Sequence, residues 1–208
     1  ILRQTNVSGG INWGITDNLI ATGTATTYFS TEEFDGFQRA NEFNSLRPAT
    51  STLGNTERNQ YEGLLKYNNT FGDHSVSGLL GTSYINTKIK SLTAAAQGAS
   101  SDKIETLNAA PETTNATTTK TEEVLASVFA KATYNYQNKY LLSASVRRDG
   151  SSRLGANHKW AYFPGASLGW VASEESFLKN NSTLSFFKLR TSIGQTGNNA
   201  AGIYTAQG

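Results

Sequence analysis

Apolar and polar residues alternate along much of the chain, and this alternation is the main structural signal in the sequence. Successive side chains of a β-strand point to opposite faces, so a period of two predicts strands with one apolar and one polar face. Runs with this period cover residues 7–15, 19–29, 61–67, 76–84, 124–136, 140–146, 162–170 and 187–193. The sequence therefore predicts an all-β fold of about eight antiparallel strands.

The connections between these runs alternate in length. Short turns are predicted at 16–18, 70–74, 137–138 and 172–183, and longer connections at 30–59, 86–122 and 149–160. Short turns at one end of a sheet and long loops at the other are typical of outer-membrane barrels, in which the turns are periplasmic. One helical turn is predicted within 173–179, with Ser173 as its N-cap.

The charged residues of the runs favour a membrane barrel over a soluble β-sandwich, which alternates in the same way. The apolar faces carry no charge, although 16% of the chain is charged. A charge that faces lipid near the midplane costs about 2–4 kcal/mol, whereas a charge that faces an aqueous lumen stays hydrated. The opposite faces carry Glu62, Lys66, Lys131, Lys139, Arg147, Asp149, Lys188 and Arg190.

Large aromatic residues of the apolar faces lie toward the ends of the runs. Two such girdles are typical of the two interfaces of a bilayer. Runs 19–29 and 124–136 also reach the roughly 9–11 residues that a tilted strand needs to cross a bilayer. The girdle at the short turns contains Trp13, Tyr67, Tyr134, Tyr136, Tyr140, Trp170 and Phe187, and the other contains Phe29, Tyr61, Tyr84 and Tyr162.

Composition excludes several other classes of protein. The mean hydropathy is −0.43 without a long apolar run, which excludes a helical membrane protein. The chain has no cysteine, and its net charge of +2 is scattered, so neither a disulfide framework nor binding to nucleic acid is predicted. His74 and His158 have no third ligand nearby, and no Ser, His and Asp set stands out. No metal, cofactor or enzyme activity is therefore predicted.

The densest local pattern lies between about residues 123 and 199. It comprises the segments KYLLSASVRRDGSSRLG at 139–155, WAYFP at 160–164, GW at 169–170, FL at 177–178, KLR at 188–190 and GQTGN at 194–198. These segments resemble the SusC/RagA family of TonB-linked outer-membrane proteins, and the similarity is looser over 60–85 and limited to the alternation over 1–59. Leu154 stands where the family usually has Phe, and Gly165 where Ser is common.

The resemblance implies a multi-pass barrel of about 22 strands in the cell outer membrane. It also implies a plug inside the barrel, a SusD-like surface lipoprotein that closes over it, and import of a glycan or peptide fragment driven by TonB. Residues 1–208 would form part of that one β-barrel domain, with neither the plug nor a signal peptide present. The expected partners are these proteins, the cargo and the lipid bilayer.

Two groups of residues are candidates for function. Lumen-facing Lys131, Arg147, Lys188 and Arg190 are predicted contacts to plug or cargo. At the first of two family-signature strand exits, Asp149 and the serines are expected to accept from backbone donors and Gly150 to adopt a positive φ. A second reading has Arg147, Arg148 and Arg153 contact the lid protein or the substrate. The exits comprise Arg148, Asp149, Gly150, Ser151, Ser152 and Arg153, and Gly194, Gln195, Thr196, Gly197 and Asn198.

Two alternatives to the transporter stay open at the level of sequence. Eight strands can close on themselves, so a self-contained outer-membrane adhesin or structural barrel is one alternative. The last run ends near Gly194 without a terminal aromatic strand end, which argues against it. The other alternative is a soluble β-sandwich that binds carbohydrate.

Overall fold

The computed structural model describes residues 1–154, 159–179 and 183–197. Its strands form one antiparallel sheet in which each strand pairs with its neighbours in the sequence, as the alternation predicts. No helix of these residues is long and apolar enough to cross a membrane. The strands are β1 (Leu2–Thr16), β2 (Leu19–Phe37), β3 (Ala49–Phe71), β4 (His74–Gln97), β5 (Glu112–Tyr136), β6 (Tyr140–Ser151), β7 (Trp160–Val171) and β8 (Lys188–Gly194).

The chain divides into two compact units. Unit 1 comprises Ile1–Ser8, Thr26–Asn59 and Asn86–Glu123, and it contains the connections 38–48 and 98–111. Unit 2 comprises Gly9–Ala25, Gln60–Ile85 and the described residues from Val124 onward, and it contains the short turns 17–18, 72–73 and 137–139. The short turn predicted at 172–183 is wrong in extent, because the connection between β7 and β8 covers 172–187.

Strands β2 to β5 are longer than the alternation predicts. The predicted connections 30–59 and 86–122 are wrong in extent, because the loops of the structure cover only 38–48 and 98–111. The added strand residues are rich in Thr, whose β-branched side chain suits a strand. Polar side chains bond across them: the Thr31 hydroxyl donates to Oδ1 of Asn55 over 3.1 Å. Such polar pairs produce no apolar alternation, so the prediction ended too early.

The short turns of unit 2 lie next to one another, as predicted. The Gln137 amide donates to the Asp73 carbonyl over 2.8 Å, and the Val171 amide donates to the Lys139 carbonyl over 2.8 Å. Gln137 and Asn138 have φ values of 53° and 57°, which is the backbone of a type I′ hairpin turn. These turns therefore share one end of the sheet in unit 2.

The predicted helical turn is partly wrong. A 3₁₀ turn covers Ala172–Glu174, and its N-cap is Val171, without a side-chain cap. Ser173 lies inside this turn and is buried. Its backbone amide donates to the Phe187 carbonyl over 3.2 Å. Glu174 occupies the first turn, where an acidic residue is expected. A second 3₁₀ turn, Leu107–Ala109, was not predicted.

Neither unit has the core of a soluble sandwich. No large side chain of the described residues is fully buried, and Ile11, Leu168 and Ile193 are 74%, 57% and 79% exposed. A sandwich buries the inner faces of two packed sheets, whereas these strands form one sheet. The soluble β-sandwich is therefore wrong for the part of the chain that the structure describes.

Candidate functional site

One face of strands β5 to β8 is apolar and is called the apolar face below. The side chains of this face are largely exposed, as a lipid-contacting surface requires. Leu189 and Ile193 continue this face on β8, opposite Trp170 and Ala166. Across β6 and β7 it consists of the pairs Tyr140–Trp170, Leu142–Leu168, Ala144–Ala166 and Val146–Pro164.

Aromatic rings follow one another at the short turns of unit 2 and form the turn-end belt. The ring centroid of His74 lies 4.8 Å from that of Tyr136, and Tyr136 lies 6.3 Å from Tyr140. Nδ1 of His74 is 2.7 Å from the Tyr134 hydroxyl, and Phe71 stacks on His74 at 5.7 Å. Tyr134, Tyr136 and Tyr140 of the girdle predicted at this end lie together, and His74 belongs to the same group of rings.

Glu175 ties this belt to the connection that precedes β8. Its Oε1 accepts a hydrogen bond of 2.6 Å from the Tyr140 hydroxyl and one of 3.2 Å from Nε1 of Trp170. Nζ of Lys139 lies 3.5 Å from Oε2. The hydrogen bonds from Tyr140 and Trp170, with the charge of Lys139, hold the pKa of Glu175 below its usual range. Sequence reasoning missed this role, because the only signal was an acidic residue after a strand.

Arg148 lies on the apolar face at the opposite end of β6. It pairs with Val128 on β5 and with Tyr162 on β7. Its guanidinium carbon is 4.5 Å from the ring centroid of Trp160 and 5.3 Å from that of Tyr162. These two rings are called the loop-end belt below. The structure thus places Arg148 among interfacial aromatics, on the face away from Arg147.

Gly150 does not adopt the positive φ that was expected of it. The described glycines with positive φ are Gly72 and Gly98. Gly150 lies within β6 opposite Trp160, where a Cβ atom would be 2.7 Å from two carbon atoms of the indole ring. A side chain there would displace the ring, so the strand needs glycine for space rather than for a turn.

Arg147 and Asp149 form a bonded pair on the polar face. Nε of Arg147 donates to both carboxylate oxygens of Asp149, over 2.6 and 2.9 Å, and Nη2 donates to the Ser127 hydroxyl over 2.9 Å. The guanidinium also lies 5.2 Å from the ring centroid of Phe129. The carboxylate of Asp149, which was expected to accept from backbone donors, accepts from the side chain of an arginine two residues away.

The serines of the same exit do accept from the backbone. The Ser152 hydroxyl accepts from the Val124 amide over 2.9 Å, and the Ser151 hydroxyl accepts from the Arg153 amide over 3.2 Å. Both contacts close the end of β6.

The second exit also ends a strand, as expected. β8 ends at Gly194, and the Gln195 amide donates to the Pro164 carbonyl over 3.0 Å. A Cβ atom at Gly197 would clash with the Phe163 ring. Asn198 lies outside the described residues. A cavity of about 490 Å³ separates the two exits and is lined by Arg147, Asp149, Leu154, Phe163, Gln195 and Thr196 among others.

The four candidate cations share the polar face but do not form a cluster, and they are called the basic row below. Arg147 pairs with Phe163 of β7, and Lys188 pairs with Val171 of the same strand. These two β7 residues are eight positions apart, which corresponds to roughly 27 Å at about 3.4 Å per residue. The cross-strand partners of the four cations are Ser145 for Lys131, Phe163 for Arg147, Val171 for Lys188 and Gly169 for Arg190.

Metal-ligating side chains do not gather in the described part of the chain. No group of three or more His, Cys, Asp or Glu residues could hold a metal ion there. His158 lies outside the described residues.

In unit 1 the two long loops are joined by one arginine and one aspartate. Nε of Arg47 donates to Oδ1 of Asp102 over 2.6 Å, and the same oxygen accepts from the Ala40 amide over 3.1 Å. These hydrogen bonds lower the pKa of Asp102. Phe43, at the tip of loop 38–48, is 96% exposed. The two loops therefore form a joined surface with an exposed aromatic ring.

Comparison with known proteins gives a consistent set of relatives. No family model matches the chain. It is 42% identical over 149 residues to a TonB-dependent receptor of Formosa agariphila, covering 70% of this chain and 14% of that receptor. It is 43% identical over 77 residues to the TonB-dependent receptor SusC of Bacteroides thetaiotaomicron, covering 37% of this chain and 8% of SusC. The chain thus spans a small part of the length of these relatives.

A solved structure described as the RagAB peptide transporter has the same fold. It superposes with a TM-score of 0.87 at 22% identity, over 95% of this chain and 23% of that chain. From these relatives, the chain belongs to the TonB-dependent receptors, which are outer-membrane β-barrel proteins, and its fold matches that of the RagAB structure.

Proposed function

We propose that the protein imports glycan or peptide fragments across the outer membrane, driven by TonB, and that residues 1–208 form part of its one β-barrel domain. The observation that carries the proposal is the two-sided sheet of unit 2. Its apolar face holds Leu142, Ala144 and Val146 between two aromatic belts, and its polar face holds the basic row. A wall between lipid and an aqueous lumen needs this division.

The basic row is the proposed contact surface for plug or cargo. Arg147 already has Asp149 as a partner, whereas Lys131, Lys188 and Arg190 form no ion pair with an acidic side chain among the described residues. Free cations on a lumen face attract carboxylates of peptides or of acidic sugars and of plug side chains. A solved structure with the same fold is described as a peptide transporter, which supports peptides as one class of cargo.

The joined loops of unit 1 are the proposed contact surface for a SusD-like surface lipoprotein. Arg47 and Asp102 hold loops 38–48 and 98–111 together, and an ordered surface binds a partner with less loss of conformational entropy. The 96% exposed ring of Phe43 offers a large apolar contact at the tip.

The self-contained eight-stranded barrel is the weaker alternative. The sheet order begins with β1 and ends with β8, and these two strands do not pair with each other in the described ranges. Closure of a small barrel requires that pair.

Uptake by the full-length protein in its host tests the proposal. Cells that lack the gene are complemented with the native protein, and uptake of labelled oligosaccharides and peptides is measured with and without a functional TonB. We expect uptake of one cargo class that is lost without TonB. Uptake that continues unchanged without TonB, or in cells that lack the gene, would contradict the import function.

A charge variant tests the basic row in the same assay. Replacing Lys131, Arg147, Lys188 and Arg190 by Gln is expected to reduce uptake roughly tenfold, because electrostatic attraction raises encounter rates by that order or more. The matched control removes four cations from unit 1 with Arg3, Lys88, Lys90 and Lys120 replaced by Gln. Equal uptake by both variants would remove the role of the row.

A further inference from the structure

Arg148 is a cation at the boundary of an otherwise uncharged surface. Along β6, Tyr140, Leu142, Ala144 and Val146 precede it on the apolar face. Eight positions separate Arg148 from Tyr140, roughly 27 Å along the strand at about 3.4 Å per residue. A strand tilted by about 40° rises along the membrane normal by less than its own length, so this segment spans most of the height of an apolar band about 25 Å tall. Arg148 therefore lies where the band ends.

The surroundings of Arg148 hold the guanidinium but leave its hydrogen-bond donors unused. Trp160 and Tyr162 approach within 4.5 and 5.3 Å of the guanidinium carbon. No acidic side chain of the described residues pairs with Arg148, and the adjacent Asp149 lies on the polar face, bonded to Arg147. A guanidinium held over aromatic rings keeps its N–H groups in its own plane, free to bind an oxyanion.

We propose that Arg148, seated on Trp160 and Tyr162, binds the phosphate group of an anionic lipid in the outward-facing leaflet. The site rests on the proposed position of this sheet in the membrane. Three features together select a lipid: the site faces away from the lumen, it lies at the end of the apolar band, and its donors suit phosphate. Arginine binds phosphate with two parallel N–H bonds, and interfacial aromatic rings surround the headgroup region. The apolar face below it accommodates the acyl chains.

Lipid binding by the purified full-length protein tests this site. Native mass spectrometry in detergent compares diphosphorylated lipid A with the same lipid after enzymatic removal of its phosphates. We expect R148Q to weaken binding of the phosphorylated lipid at least roughly tenfold, because it removes a charge-assisted contact. R148K is expected to retain part of the binding, since lysine binds phosphate as a point charge without the planar stack.

The matched control is K66Q, which removes one positive charge from the polar face of β3. We expect K66Q to bind the phosphorylated lipid as the native protein does, and W160L to lose part of the binding. Unchanged binding by R148Q, or equal losses with R148Q and K66Q, would overturn the proposal. So would an R148Q effect of the same size with the dephosphorylated lipid.

The two proposals fail in different ways. Absence of lipid binding by a native protein that still imports cargo under TonB removes only the lipid site. Recovery of the native protein in the soluble fraction of cells would remove both.

Discussion

The hydroxyl of Tyr140 donates a hydrogen bond of 2.6 Å to Oε1 of Glu175, which joins the start of β6 to the connection before β8. Trp170, the cross-strand partner of Tyr140, donates to the same oxygen over 3.2 Å. Two rings of the turn-end belt therefore share one carboxylate outside the strands. Aromatic residues that pair an apolar body with a hydrogen-bonded polar tip are typical of a membrane interface.

The shared carboxylate makes stability depend on pH. The pKa of Glu175 is lowered in the folded protein, so its contribution is present above the pKa of the unfolded chain and is lost as pH falls through the folded pKa. We expect E175Q to lower the Tm of the full-length protein at neutral pH. The difference in Tm from the native protein should shrink as the solution becomes acidic.

Glu174 supplies the control for this prediction. Its carboxylate lies 3.8 Å from Nζ of Lys179, and both side chains are well exposed. E174Q should leave Tm nearly unchanged at every pH, because exposed ion pairs contribute little. A Tm difference for E175Q that stays constant from neutral to acidic pH would contradict the account of Glu175.

The joined loops of unit 1 should separate when Asp102 loses its charge. D102N weakens the contacts to Arg47 and Ala40, and we expect faster amide hydrogen exchange in 38–48 and 98–111. The pKa of Asp102 is lowered in the folded protein, so acid should have the same effect on the native protein as pH falls through the folded pKa.

An exposed ion pair in the same loops provides the control for D102N, because its loss also removes a charge. Arg39 and Glu105 are joined over 3.1 Å, but their side chains are 72% and 52% exposed. R39Q should change exchange in the loops only slightly. If R39Q and D102N accelerate exchange equally, the Arg47–Asp102 contact does not hold the loops together.

Two glycines of β4 differ in the space around them. A Cβ atom at Gly81 would clash with the Phe129 ring and lie 2.8 Å from Cδ2 of Leu64, whereas one at Gly78 would lie 4.0 Å from the nearest atom, Cβ of Tyr67. We expect G81A to destabilise the protein by about 1–3 kcal/mol, which is the usual range for overpacking. G78A should be close to neutral. Urea unfolding of the full-length protein in detergent measures both, and equal effects would contradict the crowding at Gly81.

The strands of unit 2 could be predicted from the sequence because each has one apolar and one polar face. The same reasoning stopped at residue 29 although β2 continues to Phe37. In the continuation the adjacent Glu32 and Glu33 point to opposite faces, so both faces carry a charge and no alternation is visible. A strand made of polar pairs cannot be told from a loop by periodicity alone.

Some residues of the candidate site could likewise be predicted from their own strand, whereas the roles of others depend on contacts with residues far away in the sequence. The polar face of Lys131, Arg147, Lys188 and Arg190 follows from counting residues along each strand. Gly150 was misread because Asp followed by Gly signals a turn locally, whereas its reason for being glycine is the ring of Trp160 on the next strand. The role of Glu175 depends on a ring 35 positions earlier, Tyr140, which no local pattern reveals.

The orientation of the sheet between lipid and lumen is the central claim, and spin-label accessibility tests it most directly. The chain has no cysteine, so single cysteines can be placed at Leu142, Ser143, Ala144 and Ser145 of the full-length protein after any cysteine elsewhere is replaced. Labels at 142 and 144 are expected to collide mainly with oxygen dissolved in the bilayer. Labels at 143 and 145 should collide mainly with a water-soluble nickel complex. Equal accessibility at the four positions, or the reverse alternation, would contradict the account.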